Sequence, residues 1–361
     1  MEVNVDLVTN GEVQGEVATR LLTQGRMDIG RMRPWVGNDG ITYVTVYTGG
    51  DPKQQSSYRA IGINANGTLR PDEWKQLDSA ILGIAECRLG GIQDLISKNL
   101  VYNLGNAMGT TVLEYHDVSD AAEAVMSMDG LSRGKNDRPV FGPKYLPLPL
   151  IHVDYEINAR VLAASRSLGN PLDTTMVERA TRRINEKLED MLFTDTTYAF
   201  GGGTIYSYIN APGKNEYTLD SAWDASGVTG TNIVDDVKGM KQLSIAAHRY
   251  GPWVLYIPTD YETVMDSDYN STRGNTIRSR ILEIDGITDV KVSDRLTADT
   301  VVLVQMTSDV VRLVRGTGIT NVQWSKEGEF VTKYKVFTIQ VPQVRSDQQG
   351  SSGITVGALA A

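Results

Sequence analysis

The residues able to do chemistry in this chain are few and badly placed for it. Three histidines, His116, His152 and His248, stand far apart, and none has a second ligand at the short helical or turn spacing that a zinc or iron site needs. The glycine string "GGGTIY" from Gly201 has the small residues that let a backbone approach a phosphate, but no lysine follows it. "GTGITN" from Gly316 lacks the third glycine of a dinucleotide fingerprint. Both read as turns. Glu189 and Asp190 are adjacent in a helical pattern, so they do not face each other as an acid–base pair would, and they read as solvated. Arg179, Arg182 and Arg183 alternate with Glu178, Glu186 and Glu189, which suits a salt-bridged exposed or intersubunit face better than a phosphate site wanting unopposed positive charge. The single cysteine, Cys87, lies among apolar residues and reads as a buried thiol. No catalytic, cofactor-binding or metal site is expected, and the chain does not read as an enzyme.

Composition narrows the class further. The 361 residues are 41% hydrophobic and 22% charged, enough apolar material for two or three structural units. The net charge of -9 disfavours direct DNA binding and adhesion to anionic lipid. No run approaches the roughly 18 apolar residues of a membrane span. The start, "MEVNVDLVTNGEVQGE", lacks the basic and apolar regions of a signal peptide, so synthesis and retention in the cytosol are expected.

The elements that would position any function are more distinct. Residues 1–70 are turn-rich with one or two strands, notably "ITYVTVYTG". Pro71, followed by Asp72 and Glu73, opens a helix whose apolar positions Trp74, Leu77, Ile81, Ala85, Leu89, Ile92 and Ile96 predict one continuous element strained by Gly90 and Gly91. From Thr110 the period changes to two through "TTVLEYHDV", "AAEAVMSMDG" and "PVFGPKYLPLPLIHVDYEI". Pro147 and Pro149 remove backbone donors, so this ribbon cannot lie at the centre of a sheet. It also lacks a helix to cover it and must rest on something else. Near Asp173 the clearest helix begins, with Thr175 and Glu178 at capping-box spacing and Val177, Ala180, Ile184, Leu188 and Met191 as its stripe. Residues 231–322 read as a compact α/β or α+β unit, and "NVQWSKEGEFVTKYKVFTIQVPQV" as two returning strands about Gly328. The tail "RSDQQGSSGITVGALAA" has a composition that costs about 1 to 2 kcal/mol per residue to order, so its order is expected only from contacts between subunits.

This succession resembles the α+β fold of the major capsid proteins of tailed bacteriophages, shared with encapsulin shells. The resemblance is most specific in "PLPLIHVDYEINARVLAASRSLGNPLDTTMVERATRRINEKLEDMLFTD", Pro147 to Asp195, which looks like an extended loop running into a spine helix. It extends more loosely to "LRPDEWKQLDSAILGIAECRLGGIQDLI" and the final strands. It implies an N-terminal arm over 1–70, a peripheral-domain helix over 71–109, an extended loop over 110–154 and a peripheral domain with the spine helix over 155–230. An axial domain over 231–322, peripheral return strands over 323–346 and a C-terminal tail over 347–361 complete it. The loops "MDSDYNSTRGN" and "VRGTGITN" would then meet at capsomer centres. Some relatives carry a cleaved helical scaffolding segment, whereas residues 1–70 here read as strand and turn. Others weld subunits through lysine and asparagine, whereas Lys135 and Lys144 read as solubilising edge residues.

The function implied is a structural subunit that self-assembles, as pentamers and hexamers, into an icosahedral shell around a double-stranded DNA genome. It would reside in the virion after synthesis in the host cytoplasm. Its partners would be copies of itself, portal, scaffold or decoration proteins, and packaged DNA held without sequence-specific binding, with no membrane and no cofactor. Two rivals remain: an encapsulin-type compartment shell enclosing a cargo enzyme, separable by genomic neighbours, and a soluble enzyme with its site in residues 231–322, against which the lack of convergent catalytic residues argues.

Overall fold

The computed structural model describes residues 33–47, 58–62, 69–88, 90–105, 107–118, 141–168, 174–270, 273–323, 331–347 and 350–359. The organising element is the spine helix, Thr175–Phe193. Val177, Ala180, Ile184, Leu188 and Leu192 recur at three- or four-residue steps and are buried, while Arg179, Arg182 and Arg183 stay in solvent. Its start differs from the expected capping box. The N-cap is Thr174, whose φ of -91° and ψ of -2° are already helical, so its hydroxyl bonds no backbone amide and instead donates to Glu178 Oε1 at 2.8 Å.

The helix expected from Pro71 through Ile96 is instead two, Pro71–Arg88 and Gly90–Ser97. In the first, Glu73 accepts from the Arg70 amide at 2.8 Å, and Trp74, Leu77 and Ile81 enter the core. The side chain of Cys87 lies outside the described residues. The glycine inside the start of the short helix has a packing reason: a Cβ on Gly91 would meet Phe193 Cε2 at 2.6 Å, so only glycine lets this helix approach the spine this closely.

Beside these helices lies a four-stranded sheet in the order Val101–Asn103, Val311–Gln323, Val331–Val344, Ile151–Asn158. Ile151–Asn158 takes the edge, as expected of a segment that is not a central strand, and crosses the expected loop boundary at residue 154. "VRGTGITN" is not a loop; it lies within Val311–Gln323, with register shifts between Arg315 and Thr320. The ribbon pairs Val112–Val118 with Phe141–Pro147; residues 119–140, Lys135 among them, lie outside the described residues. Its base rests on the sheet through a small core of Ala107, Leu146, Leu148, Ile205, Val314 and Val341.

A second sheet of five strands runs Asn215–Leu219, Ile354–Leu359, Thr300–Gln305, Trp253–Ile257, Ile287–Val292. Its central strands are unbroken apolar runs because both faces are covered. Val254, Tyr256, Val302 and Val304 join the core of the spine helix. Trp253, Leu255, Val301 and Leu303 join a separate core under the helices Gly230–Ala246 and Ile277–Leu282. The tail expected to be ordered only between subunits is therefore a strand of the subunit's own sheet. Ile354–Leu359 is parallel to Asn215–Leu219 and antiparallel to Thr300–Gln305. Gly353 and Gly357 are there for close packing, since a Cβ on them would meet Val310 Cγ2 at 2.6 Å and Val301 Cγ2 at 2.8 Å, whereas Gly350 turns the chain at a φ of 82°. The expected 231–322 unit thus loses Val311–Gln323 to the other sheet and gains strands from both flanks.

At the N-terminal side, Trp35–Val36, Thr42–Tyr47 and Tyr58–Gly62 form a small three-stranded sheet. Arg33 ties this region to the body. It holds both Asp78 carboxylate oxygens at 2.9 and 3.0 Å, donates to the Asn321 carbonyl at 2.7 Å and lies 5.1 Å over the Trp74 ring. Residues 1–32 lie outside the described residues. Among the described residues no helix is long and apolar enough to cross a membrane.

Candidate functional site

Polar side chains converge at the joint between spine helix, short helix and five-stranded sheet, around a cleft of about 340 Å³. From the short helix, Asp94 is 2% exposed, accepts from the Tyr256 hydroxyl at 2.8 Å and pairs with Lys291. From the spine, Glu189 accepts from the amides of Gly91 at 2.9 Å and Ile92 at 3.5 Å, filling the donors a helix start leaves open. After the strand Ile287–Val292, Arg295 reaches Asp190 at 3.3 Å and Glu186 at 3.5 Å. Phe193, Tyr208 and Tyr256 wall the joint, with Phe193 5.0 Å from Tyr256 and 5.5 Å from Tyr208, both edge-on.

Glu189 was expected in solvent; it is largely withdrawn from it. Burial pushes its carboxyl up to about 7, with Asp94 adding to the rise and the two amides and Arg295 opposing it. By linkage, a carboxyl raised from 4.5 favours folding in its protonated form, so stability is lost as pH climbs from about 4.5 through 7, by about 3 kcal/mol at most. Glu189→Gln keeps an acceptor for the amides and removes the charge. Urea unfolding is expected to show the variant equal to the parent near pH 4.5 and more stable by 1 to 3 kcal/mol, roughly, at pH 8. A difference that does not grow with pH would mean that Glu189 ionises without penalty.

The other residues singled out by type do not converge. Among the described residues no group of three or more His, Cys, Asp and Glu side chains could hold a metal. His116 is on the ribbon, 3.7 Å from Glu114, His152 is on an edge strand, and His248 sits in a turn 3.4 Å from the Tyr250 hydroxyl. Gly201 and Gly202, at φ of 58° and 79°, make the tight turn between Tyr198–Phe200 and Gly203–Ile205. Arg182 and Arg183 both bond Glu186 at 2.9 Å, and Arg182 above all holds the Glu186 carboxyl below its usual range.

This hairpin presents the clearest outward feature. Tyr198 and Phe200 are 50% and 55% exposed, Tyr145 and Leu150 stand nearby on and beside the ribbon base, and a hollow of about 380 Å³ is lined by Leu150, Met191, Tyr198 and Ile205. Sequence reading passed over these residues because alternation in a three-residue strand is too short to show which side faces out.

A profile of a family of unknown function, DUF6260, matches residues 64–357. The chain belongs to the DUF6260 family. No curated protein sequence matches this DUF6260 chain. Its fold is similar to that of a virus-like particle from Pyrococcus furiosus, with a TM-score of 0.58 at 16% identity over 78% of this chain and 98% of that one. The capsid of Myoviridae phage XM1 is similar with a TM-score of 0.54 at 11% identity, over 75% and 92% of the two chains. The capsid of an empty GTA particle is similar with a TM-score of 0.51 at 11% identity, over 86% and 96%. The DUF6260 chain has the α+β fold of tailed-phage capsid proteins.

Proposed function

We propose that the DUF6260 chain is the major capsid subunit of a tailed phage, assembling with copies of itself into an icosahedral shell around a double-stranded DNA genome. The observation that carries this reading is the fold, which parallels nearly the whole length of shell-forming chains. The exposed aromatics beside the ribbon base support it, because a contiguous apolar surface on a soluble subunit marks a contact. In this reading the extended loop runs from Val112 to Pro147. The peripheral domain is the spine helix, the helices Pro71–Arg88 and Gly90–Ser97 and the four-stranded sheet. The axial domain is the five-stranded sheet with its two helices, and the hairpin Asp268–Asn270 with Arg273–Thr276 points to the capsomer centre. The subunit acts without catalysis or cofactor, is made in the host cytoplasm, and resides in the virion with portal, scaffold or decoration proteins as further partners.

Electron microscopy and sedimentation of the purified protein test this directly. Closed particles of uniform size are expected. A monodisperse monomer in every buffer and at every concentration tried would overturn the proposal. Particles whose natural form encloses a co-encoded enzyme in place of DNA would move the chain to the compartment shells.

A further inference from the structure

Where the long hairpin ends beside the ribbon, strand register places Arg312 opposite Gln343, and Tyr102 opposite Val314 on the neighbouring strand. Alternate residues share a face, and the Arg345 amide continues the ladder by donating to the Val310 carbonyl at 2.8 Å, so Arg312, Gln343 and Arg345 stand together on one side. Aromatic rings hold the two guanidinium groups: Arg312 lies 4.6 Å over Tyr102, and Arg345 lies 5.9 Å over Tyr115. Arg312 Nε donates to Gln343 Oε1 at 2.5 Å.

The neighbourhood holds a surplus of donors. Among the described residues no carboxylate pairs with either arginine, although 44 acidic residues outnumber 35 basic ones in the chain. The Nε of Arg345 and the Nε2 of the fully buried Gln343 are covered and have no acceptor. Burial, and after it the neighbouring charge of Arg345, depress the pKa of Arg312. Two half-buried cations that repel each other cost free energy until an anion joins them.

We infer that Arg312 and Arg345 form an oxyanion clamp that receives a carboxylate from a second copy of this chain. Planar guanidinium groups match a carboxylate bidentately, and an excess of acidic residues makes another copy of the chain a ready source. The clamp lies beside the ribbon base, the segment read above as reaching a neighbour. The identity of the occupant rests on the shell reading; the anion site does not.

The test uses the full chain and its variants Arg345→Gln and Arg345→Lys. Arg345→Gln is expected to raise the concentration needed for particle formation about tenfold and to reduce the response of assembly to added salt, with the lysine variant between it and the parent. Melting of the unassembled subunit is expected to be unchanged or higher, because removing a repelling charge does not weaken the fold. Unchanged assembly with an unchanged salt response would overturn the proposal. In a second arm, inorganic phosphate at constant ionic strength is expected to raise the melting temperature of the unassembled parent, and not of Arg345→Gln. No rise in the parent would remove the anion site, even if the variant fails to fold. Binding of a short DNA duplex that falls in Arg345→Gln while assembly does not would give the clamp to nucleic acid and overturn the second-copy occupant. A parent that forms no particles defeats the shell reading and this occupant together, while the phosphate arm still judges the clamp.

Discussion

Ile184→Asp is expected to abolish folded protein. Ile184 sits at the middle of the spine helix with 0% exposure, in the core that also takes Trp74, Leu77, Val254 and Tyr334. A carboxylate there has no cation to pair with among those neighbours, so it is either buried charged or protonated at a cost, in both cases several kcal/mol. Domains are stable by about 5 to 15 kcal/mol, and one such residue consumes most of that. Expression, circular dichroism and thermal melting check it, with Ile184→Val as the control that should lose only about 1 kcal/mol. An aspartate variant that melts like the parent would take Ile184 out of the core.

Removing residues 350–361 is expected to be as damaging, the reverse of what their composition suggests. The strand Ile354–Leu359 supplies Ile354 and Val356 to the main core, each side chain worth about 1.5 to 3 kcal/mol when buried. Its ladders join Asn215–Leu219 to Thr300–Gln305, and its Thr355 hydroxyl meets that of Ser244 at 2.8 Å on the covering helix. Truncation leaves two strand edges facing a gap, at a total cost of roughly 5 kcal/mol or more. Soluble expression and denaturant unfolding measure this. Hydrogen exchange on the unassembled parent gives the matching result: the amides of Ile354–Leu359 should be protected without any neighbour, and free exchange there would return the segment to an arm held by assembly.

The parts legible from sequence are those where one physical signal ran long enough to be unambiguous. Val177 to Leu192 repeats its stripe over about four turns, and the segment carrying Pro147 and Pro149 runs into a strand, Ile151–Asn158, that takes a sheet edge. The tail misled because its signal is brief. Six residues with a glycine at their centre look the same whether the glycine supplies freedom or yields space to Val301, and only the partner strand decides. Residues 311–323 misled for the related reason that glycines at Gly316 and Gly318 resemble a loop, when they accompany irregular register inside a long hairpin. At the joint, Glu189 was read by its helical neighbours alone. Its amide partners lie 97 and 98 residues earlier, and no local pattern carries that. The arginine pair was equally invisible, because Arg312 and Arg345 come together through strand register across the hairpin.

The threading of Ile354–Leu359 between Asn215–Leu219 and Thr300–Gln305 also sets a timetable. The strand that joins these two is translated after both, so the sheet stays divided until residue 359 has been synthesised. At about 5 to 20 residues per second, the stretch from Leu219 onward takes on the order of ten seconds. Asn215–Leu219 waits through all of that interval and the apolar Thr300–Gln305 through its last part, each with an edge unpaired, the condition under which nascent chains stick to one another. Release of the chain before its last strand would therefore leave this sheet open at its middle.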